Sequence, residues 1–329
     1  MMHEILKSSV AFRRGLRAFE GTEALRIFNG PGETDHPELQ HAAIDRFLDH
    51  FWITAWKTLK PATLTAIETF LKSEFAGSLR AIVFMDRSGV ASEADVVPLF
   101  GTPAPGRFTV REAGIPYRVQ MEGVKHPGLF LDHAPLRRWL AETQKDRSVL
   151  NLFAYTGSLS VAAGAGGAQK VTTVDLSKAT IDWARENWSS AGLPEERGDF
   201  IYGDVFEWLP KLAKRGALFD TILSDPPSFS RSKKGTFSTQ KDLVRLHASI
   251  LPLLKPGGIL VSSINSENIP ERQFLKDVAL AAEKTDCSLR VLSRIDLPPT
   301  FPTGMDLSTR YLKGFYLLKN RSSVLSEQG

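Results

Sequence analysis

The chain of 329 residues is 42% hydrophobic and 24% charged, ordinary values for a soluble globular protein long enough to bury two cores. A single cysteine, Cys287, excludes an internal disulfide framework and any multi-cysteine zinc or iron–sulfur centre, and no metal site is expected. No 18-residue apolar run is present and the start MMHEILKSSVAFRRGL lacks a secretory signal's apolar core, so the reading is a cytoplasmic protein without a membrane partner; the net charge of +4 suits a polyanionic partner without requiring one.

In chain order, helical signals around 37–50 and 62–76 precede a strand at RAIVFMD, and GRFTVREAGIPYRVQM reads as a hairpin turning at Ala113-Gly114. These elements predict a small α+β domain over 1–122. From residue 148, apolar runs alternate with helical patterns: SVLNLFAY, KVTTVDL, DFIYGDV, FDTILSDPP and GGILVSSIN are the strands, and ATIDWARENWSSAG, EWLPKLAKRG and segments near 239–254 and 270–285 are the helices. Strands apolar throughout and separated by helices form a parallel sheet covered on both faces. The fold class is therefore α/β: a doubly wound, Rossmann-like domain over 123–322, followed by a short tail over 323–329. The final run, RYLKGFYLLKN, alternates and is aromatic, and is expected to return antiparallel at an edge of the sheet.

In such sheets the ligand sits beyond the carboxyl ends of the central strands. The first of these loops is Asn151-Leu152-Phe153-Ala154-Tyr155-Thr156-Gly157-Ser158, with one glycine, where a dinucleotide site needs G-x-G-x-x-G and a Walker loop needs G-x-x-x-x-G-K-[ST]. A diphosphate cradle is thus poorly supported. Asp175 closes the second strand, placed to accept hydrogen bonds from both ribose hydroxyls of a nucleoside, Asp204 closes the third, where an adenine amino group can donate, and Asp225 closes the fourth. Three strand-end carboxylates without phosphate-binding glycines suit an adenosyl ligand with a positive centre, and S-adenosyl-L-methionine fits that description. For each acid alone, a surface carboxylate or a helix cap is the competing reading.

The stretches NLFAYTGSLSVAA, GGAQKVTTVDLSKATIDWARENW, GDVFEWL, DPPSFSRSKK and LLKPGGILV resemble the class I methyltransferase domain of the bacterial large-subunit ribosomal RNA methyltransferases of the K/L and I types, over about residues 115–320. The resemblance includes Gly128-Leu129-Phe130-Leu131-Asp132-His133, is closer to the K type, and implies no PUA module in front of the small domain. It implies that Asn151, Phe153, Ala154, Tyr155, Thr156 and Gly157 hold the methionine part of S-adenosyl-L-methionine, that Asp175, with Leu176 and Ser177, holds the ribose, and that Gly203, Asp204 and Val205 hold the adenine. Phe130 and Asp132 would close over the ligand, although a core role for Phe130 is equally compatible. Trp183 and Trp188, five residues apart on one helix, read as packing residues.

The stretch Asp225-Pro226-Pro227-Ser228-Phe229 then acquires a chemical reading. Two prolines hold their own φ and bias the residue before them to extended geometry, which aims the carbonyls of the turn and keeps Asp225 at the sheet edge. Rigid acceptors can bind the N–H groups of an extruded base, and Phe229 can stack on it. Ser228 and Asn265 are further candidates for base contacts, and Arg231, Lys233 and Lys234, with Lys241, for phosphates of an RNA partner; a solvated basic loop is the competing reading. Arg13, Arg14 and Arg17 are additional candidates for RNA contact.

Carbon-5 methylation of cytosine needs a thiolate. The I-type relatives carry it after the fifth strand, where this chain has Val261-Ser262-Ser263-Ile264-Asn265-Ser266; Cys287, in TDCSLRVL, reads as a structural thiol. The expectation is therefore transfer to a ring nitrogen, of the guanine N7 type, without a covalent intermediate. Other readings stay open: a protein or small-molecule acceptor, a nicotinamide-dependent dehydrogenase, and a noncatalytic RNA-binding module. The oligomeric state is left undetermined.

Overall fold

The structure is a computed structural model describing residues 1–89, 96–232, 235–266, 268–304 and 311–320. It divides into two compact units, Met1–Ala134 with Leu297–Thr309, and Pro135–Asp296 with Arg310–Gly329.

The first unit begins with α1 (Met2–Gly15), β1 (Ala24–Asn29) and the single turn α2 (Gly30–Glu33), then β2 (Ala42–Phe47), β3 (His50–Ala55), α3 (Pro61–Glu74), β4 (Ala81–Asp86) and β5 (Val96–Gly101). The five strands pair in sequence order, antiparallel except for β3 and β4, which are parallel because α3 carries the chain back between them. Leu6 and Val10 of α1 and Ile67, Phe70 and Leu71 of α3 share one buried core with Leu25, Ile27, Phe51, Ile53, Ile82 and Phe84 of the sheet. A separate hairpin, β6 (Arg107–Glu112) with β7 (Ile115–Gln120), turns at Ala113 (φ 50°) and Gly114 (φ 79°), the left-handed pair that a two-residue hairpin turn requires.

The helix expected around 37–50 is absent: a short 3-10 turn over Leu39–His41 leads into β2. Ala42, Ala43, Ile44 and Phe47 are all buried, so β2 lacks the in–out alternation of a one-sided strand and its apolar spacing imitates a helical stripe. The following turn holds Leu48 at φ 59°, with none of the glycine or asparagine that announces such a turn.

The units divide at 134/135 rather than at the expected 122/123 junction, and residues 297–304 also go with the first unit. Arg13 donates to the Thr300 carbonyl (2.7 Å), Asn29 Nδ2 donates to the Pro302 carbonyl (2.8 Å), and the Arg26 guanidinium lies over the Phe301 ring at 4.1 Å. These partners are almost three hundred residues apart in the chain, beyond any local pattern.

The second unit opens with α4 (Ala134–Thr143) and β8 (Ser148–Leu152), followed by α5 (Ser158–Ala165), β9 (Lys170–Asp175), α6 (Lys178–Ser190), β10 (Gly198–Tyr202), α7 (Val205–Lys214) and β11 (Phe219–Ser224). A hairpin, β12 (Phe229–Ser232) with β13 (Gly235–Ser238), precedes α8 (Thr239–Ile250), β14 (Leu254–Asn265), α9 (Glu271–Lys284), β15 (Leu289–Arg294) and β16 (Leu312–Lys319). The main sheet runs β10-β9-β8-β11-β14-β16-β15, with the first five strands parallel. The chain winds one way from β8 to β10 and the other way from β11 to β14, so the order reverses between β8 and β11, where an open α/β sheet leaves a crevice at its carboxyl edge.

The antiparallel strand exists, but not at the edge. β16 pairs antiparallel with β14 on one side and with β15 on the other. Six of its eight residues, Leu312–Leu317, are buried, which demands neighbours on both sides, whereas Arg290–Arg294 of β15 are exposed and suit the outermost place.

Candidate functional site

The loop between β8 and α5 has a backbone unlike its neighbours. Phe153, Tyr155 and Gly157 all have positive φ (56°, 52° and 71°), and the first two are bulky residues that rarely adopt it. Named contacts hold the conformation. Ala154 N donates to Val174 O (3.1 Å), Tyr155 N donates to Asp175 Oδ2 (2.8 Å), and the buried Asn187 of α6 donates from Nδ2 to Thr156 O (2.8 Å). Asn151, also buried, donates to Ser160 Oγ at 2.9 Å, which ties the end of β8 to α5. Gly157 is glycine for two reasons: its φ, and the Ala184 Cβ of α6, which a Cβ at Gly157 would meet at 2.7 Å. The space left by the missing side chain belongs to a helix, so this glycine is not the close-approach point of a diphosphate.

Asp175, at the end of β9, accepts from Tyr155 N through Oδ2 and from Ser177 N and Thr180 Oγ1, both at 2.9 Å, through Oδ1. Burial pushes this carboxyl above its usual range, while the Ser177 and Tyr155 amides and the Thr180 hydroxyl pull it back. An ionised carboxylate offers about four lone-pair sites, so three donors leave it able to accept more. Leu176 and Ser177 follow it at the surface, with Ser177 capping α6. Tyr202, the register partner of Asp175 on β10, is 58% exposed beside them. Asp204 caps α7, accepting from Phe206 N at 2.8 Å through Oδ1, which leaves its capping role on one oxygen. Gly203 is packed against the Trp208 indole, and Val205 is buried. Trp183 and Trp188 are buried core residues; Trp188 fills the space beside Gly164.

At the end of β11, Asp225 accepts a 2.6 Å hydrogen bond from Ser263 Oγ on the neighbouring β14. Pro226 is buried, Pro227 exposed. Ser228 Oγ donates to the Asn265 carbonyl (2.8 Å) and Ser228 O accepts from Thr239 N (3.2 Å), pinning the turn between β14 and α8. Phe229 is 54% exposed, and the Arg231 guanidinium stands over its ring at 5.4 Å. Asn265 and Lys241 are exposed; Lys233 and Lys234 lie outside the described residues.

Phe130 and Asp132 belong to the first unit: Phe130 is exposed and stacked on His126 (centroids 4.0 Å), and Asp132 is buried. Of the amino-terminal arginines expected to contact RNA, Arg13 is fully buried and paired with Glu33, which overrides that expectation for it, whereas Arg14, paired with Glu74, and Arg17, paired with Glu20, keep exposed side chains. Two contributors escaped sequence reading. Ser263 carries a signal only in hindsight, as the residue paralleling Asp225 one strand over, and Phe237, discussed below, lies in a stretch that reads as a loop.

Among the described residues, no helix is long and apolar enough to cross a membrane, and no group of three or more His, Cys, Asp or Glu side chains is placed to hold a metal ion. The polar groups at the crevice fit an adenosyl ligand: Asp175 and Asp204 offer acceptors for hydroxyl and amino donors, and the one glycine of the loop after β8 is closed off by α6.

Comparison with known proteins agrees. A sequence profile described as S-adenosylmethionine-dependent methyltransferase matches residues 25–314. Proteins named ribosomal RNA large subunit methyltransferase K/L are similar: that of Shewanella loihica is 34% identical over 267 residues (78% of this chain, 35% of the relative), and that of Shewanella pealeana 30% identical over 302 residues (89% and 40%). The chain thus spans about two fifths or less of these relatives' length. A crystal structure of a methyltransferase complexed with S-adenosylhomocysteine superposes with a TM-score of 0.87 at 27% identity, covering 96% of this chain and 80% of that one. Fold, crevice chemistry and profile coincide on one conclusion: the chain belongs to the S-adenosylmethionine-dependent methyltransferase family, and its cofactor is S-adenosylmethionine.

Proposed function

We propose that the protein transfers the methyl group of S-adenosylmethionine to a base of RNA in the cytoplasm, with large-subunit ribosomal RNA as substrate and a ring nitrogen of the guanine N7 type as acceptor. The observation that carries this reading is Phe229: a half-exposed aromatic with a guanidinium over its ring, placed directly after a rigid Asp-Pro-Pro turn at the switch point. Stacking of an extruded base on an exposed ring, beside a cation for the phosphates, is what base chemistry within a polynucleotide requires. The names of the Shewanella relatives support RNA as the substrate class.

On this reading, Asn151 and Phe153–Gly157 hold the methionine part, Asp175, Leu176 and Ser177 the ribose, and Gly203–Val205 the adenine. When bound, the cofactor supplies a methyl group on a sulfonium. Asp225, fastened by Ser263, and the carbonyls of the Pro226-Pro227 turn hold the N–H edge of the base; Ser228, Asn265, Arg231, Lys233 and Lys234 bind around it. A ring nitrogen brings its own lone pair, so these residues need only orient and desolvate it. The absence of cysteine in Val261–Ser266 supports transfer without a covalent intermediate.

Mass spectrometry of ribosomal nucleosides from cells with and without the protein is the test. Loss of one methylated base is expected; an unchanged set of nucleosides would point to a protein or small-molecule acceptor. Restoration of the lost base by Asp225→Ala would contradict the role of that carboxylate.

A further inference from the structure

The β12–β13 hairpin has two faces with different partners. Its register places Phe229 opposite Ser238, Ser230 opposite Phe237, and Arg231 opposite Thr236. Residues directly opposite one another in an antiparallel pair share a face, and faces alternate along each strand. Phe229 and Arg231 therefore share the outward face, and Phe237 points the other way. Phe229 is 54% exposed and Phe237 4% exposed, in keeping with this division.

What Phe237 touches is the unexpected part. Its ring centroid lies 5.8 Å from that of Phe153 and 5.6 Å from that of Phe206. Phe153 sits at φ 56° in the loop between β8 and α5, and Phe206 is the residue whose N–H donates to Asp204. One side chain of the hairpin thus packs on both ends of the proposed cofactor cradle, while the other face of the hairpin presents the proposed base-stacking ring of Phe229. The loop conformation around Phe153 is one that bulky residues rarely adopt, held by hydrogen bonds to Val174 O and Asp175.

We propose that Phe237 is a positioning residue that couples cofactor binding to the grip on the target base. The inference rests on the reading above that the Asn151–Gly157 loop holds the cofactor and Phe229 the base. A ligand that favours the left-handed loop fixes the seat of Phe237, which fixes the hairpin and the outward ring of Phe229. By linkage, RNA on the hairpin must tighten cofactor binding by the same factor that the cofactor tightens RNA binding.

The test is calorimetric titration of S-adenosylhomocysteine into the full chain, with and without protein-free large-subunit ribosomal RNA, for wild type, Phe237→Ala and Phe237→Met. In the wild type, RNA is expected to tighten S-adenosylhomocysteine binding by on the order of tenfold. Phe237→Ala removes the ring and should bring that ratio close to unity; Phe237→Met, which refills the volume with an adaptable side chain, should recover much of it. A residue that merely fills the core would lower thermal stability and weaken either ligand yet leave the ratio intact in Phe237→Ala, and that result would overturn the proposal. So would a ratio of unity in a wild type that binds both ligands. A flat titration with S-adenosylhomocysteine alone would instead overturn the cofactor site, and absence of RNA binding the RNA reading; each takes the coupling with it, and the flat arm tells which has failed.

Discussion

Gly157→Ala is the sharpest probe of how the loop between β8 and α5, the proposed cofactor loop, is built. The new methyl group would stand 2.7 Å from Ala184 Cβ and 3.3 Å from Ala184 Cα, closer than packed carbons tolerate, at a residue with φ 71°. The left-handed backbone costs an alanine about 1–2 kcal/mol, and forcing an extra methyl into a closed core costs about 1–3 kcal/mol. The sum, about 2–5 kcal/mol, corresponds to a drop in melting temperature on the order of 10 °C for a unit of this size. Because α6 also holds the loop through Asn187 and Thr156, S-adenosylhomocysteine affinity should fall with it. Differential scanning fluorimetry and calorimetry read the two effects. The steric part is separable: Ala184→Gly removes the atom that is struck, so the double variant should regain about 1–3 kcal/mol relative to the sum of the singles. If the two substitutions are additive to within about 0.5 kcal/mol, the packing explanation of Gly157 is wrong and only its backbone conformation matters.

Phe229→Ala should weaken RNA binding about 5- to 150-fold, the equivalent of about 1–3 kcal/mol of stacking on one base, while leaving S-adenosylhomocysteine affinity in the absence of RNA unchanged; equal loss of both would place the ring in the fold rather than at the base. Cys287→Ser should retain methyl transfer, and a folded but inactive variant would bring back a covalent route. His247 makes stability depend on pH: its Nδ1 faces the Leu243 carbonyl and its Nε2 the Ser262 hydroxyl, both at 2.8 Å, and burial lowers its pKa from 6.5 to about 4. The unfolded chain binds a proton there that the folded chain refuses, so this contribution is complete above pH 6.5 and is lost as pH falls toward 4, about 3 kcal/mol in all, checked by urea titrations across that window with His247→Gln as the flat control.

Much of the second unit was legible because its physics is local. Each parallel strand is apolar on both faces and each helix has its own stop, so β8–β11 and β14 fall where the pattern puts them, and the acids at their ends follow. What local pattern does not carry is the choice of neighbour. The order of β15 and β16 is decided by which of them can bear an exposed side, and both runs are apolar enough to be strands. Nor does any residue type announce Phe153 and Tyr155 as left-handed; hydrogen bonds from elsewhere in the fold impose it. The hairpin after Asp225 was hidden because Phe229-Ser-Arg-Ser has the composition of a loop, and Phe237 is a core residue of a segment that has no core of its own. Arg13 shows the opposite failure: one arginine of a basic cluster read as a candidate for RNA contact turns inward, where Glu33 and the carbonyls of Arg26 and Thr300 accept from its guanidinium.

The place of β16 between β14 and β15 sets a timetable for synthesis. A ribosome delivers β15 first, but among the described residues β15 has no hydrogen-bonded neighbour in the main sheet other than β16, which follows it in the chain. Until Leu312–Lys319 has cleared the exit tunnel, the nascent sheet ends at β14, and β15 must wait as an unpaired ribbon carrying Val291 and Leu292 into solvent. The crevice between β8 and β11 can therefore take shape early while the far flank closes last, and the interval between them is when a holdase or a stray strand has its opportunity.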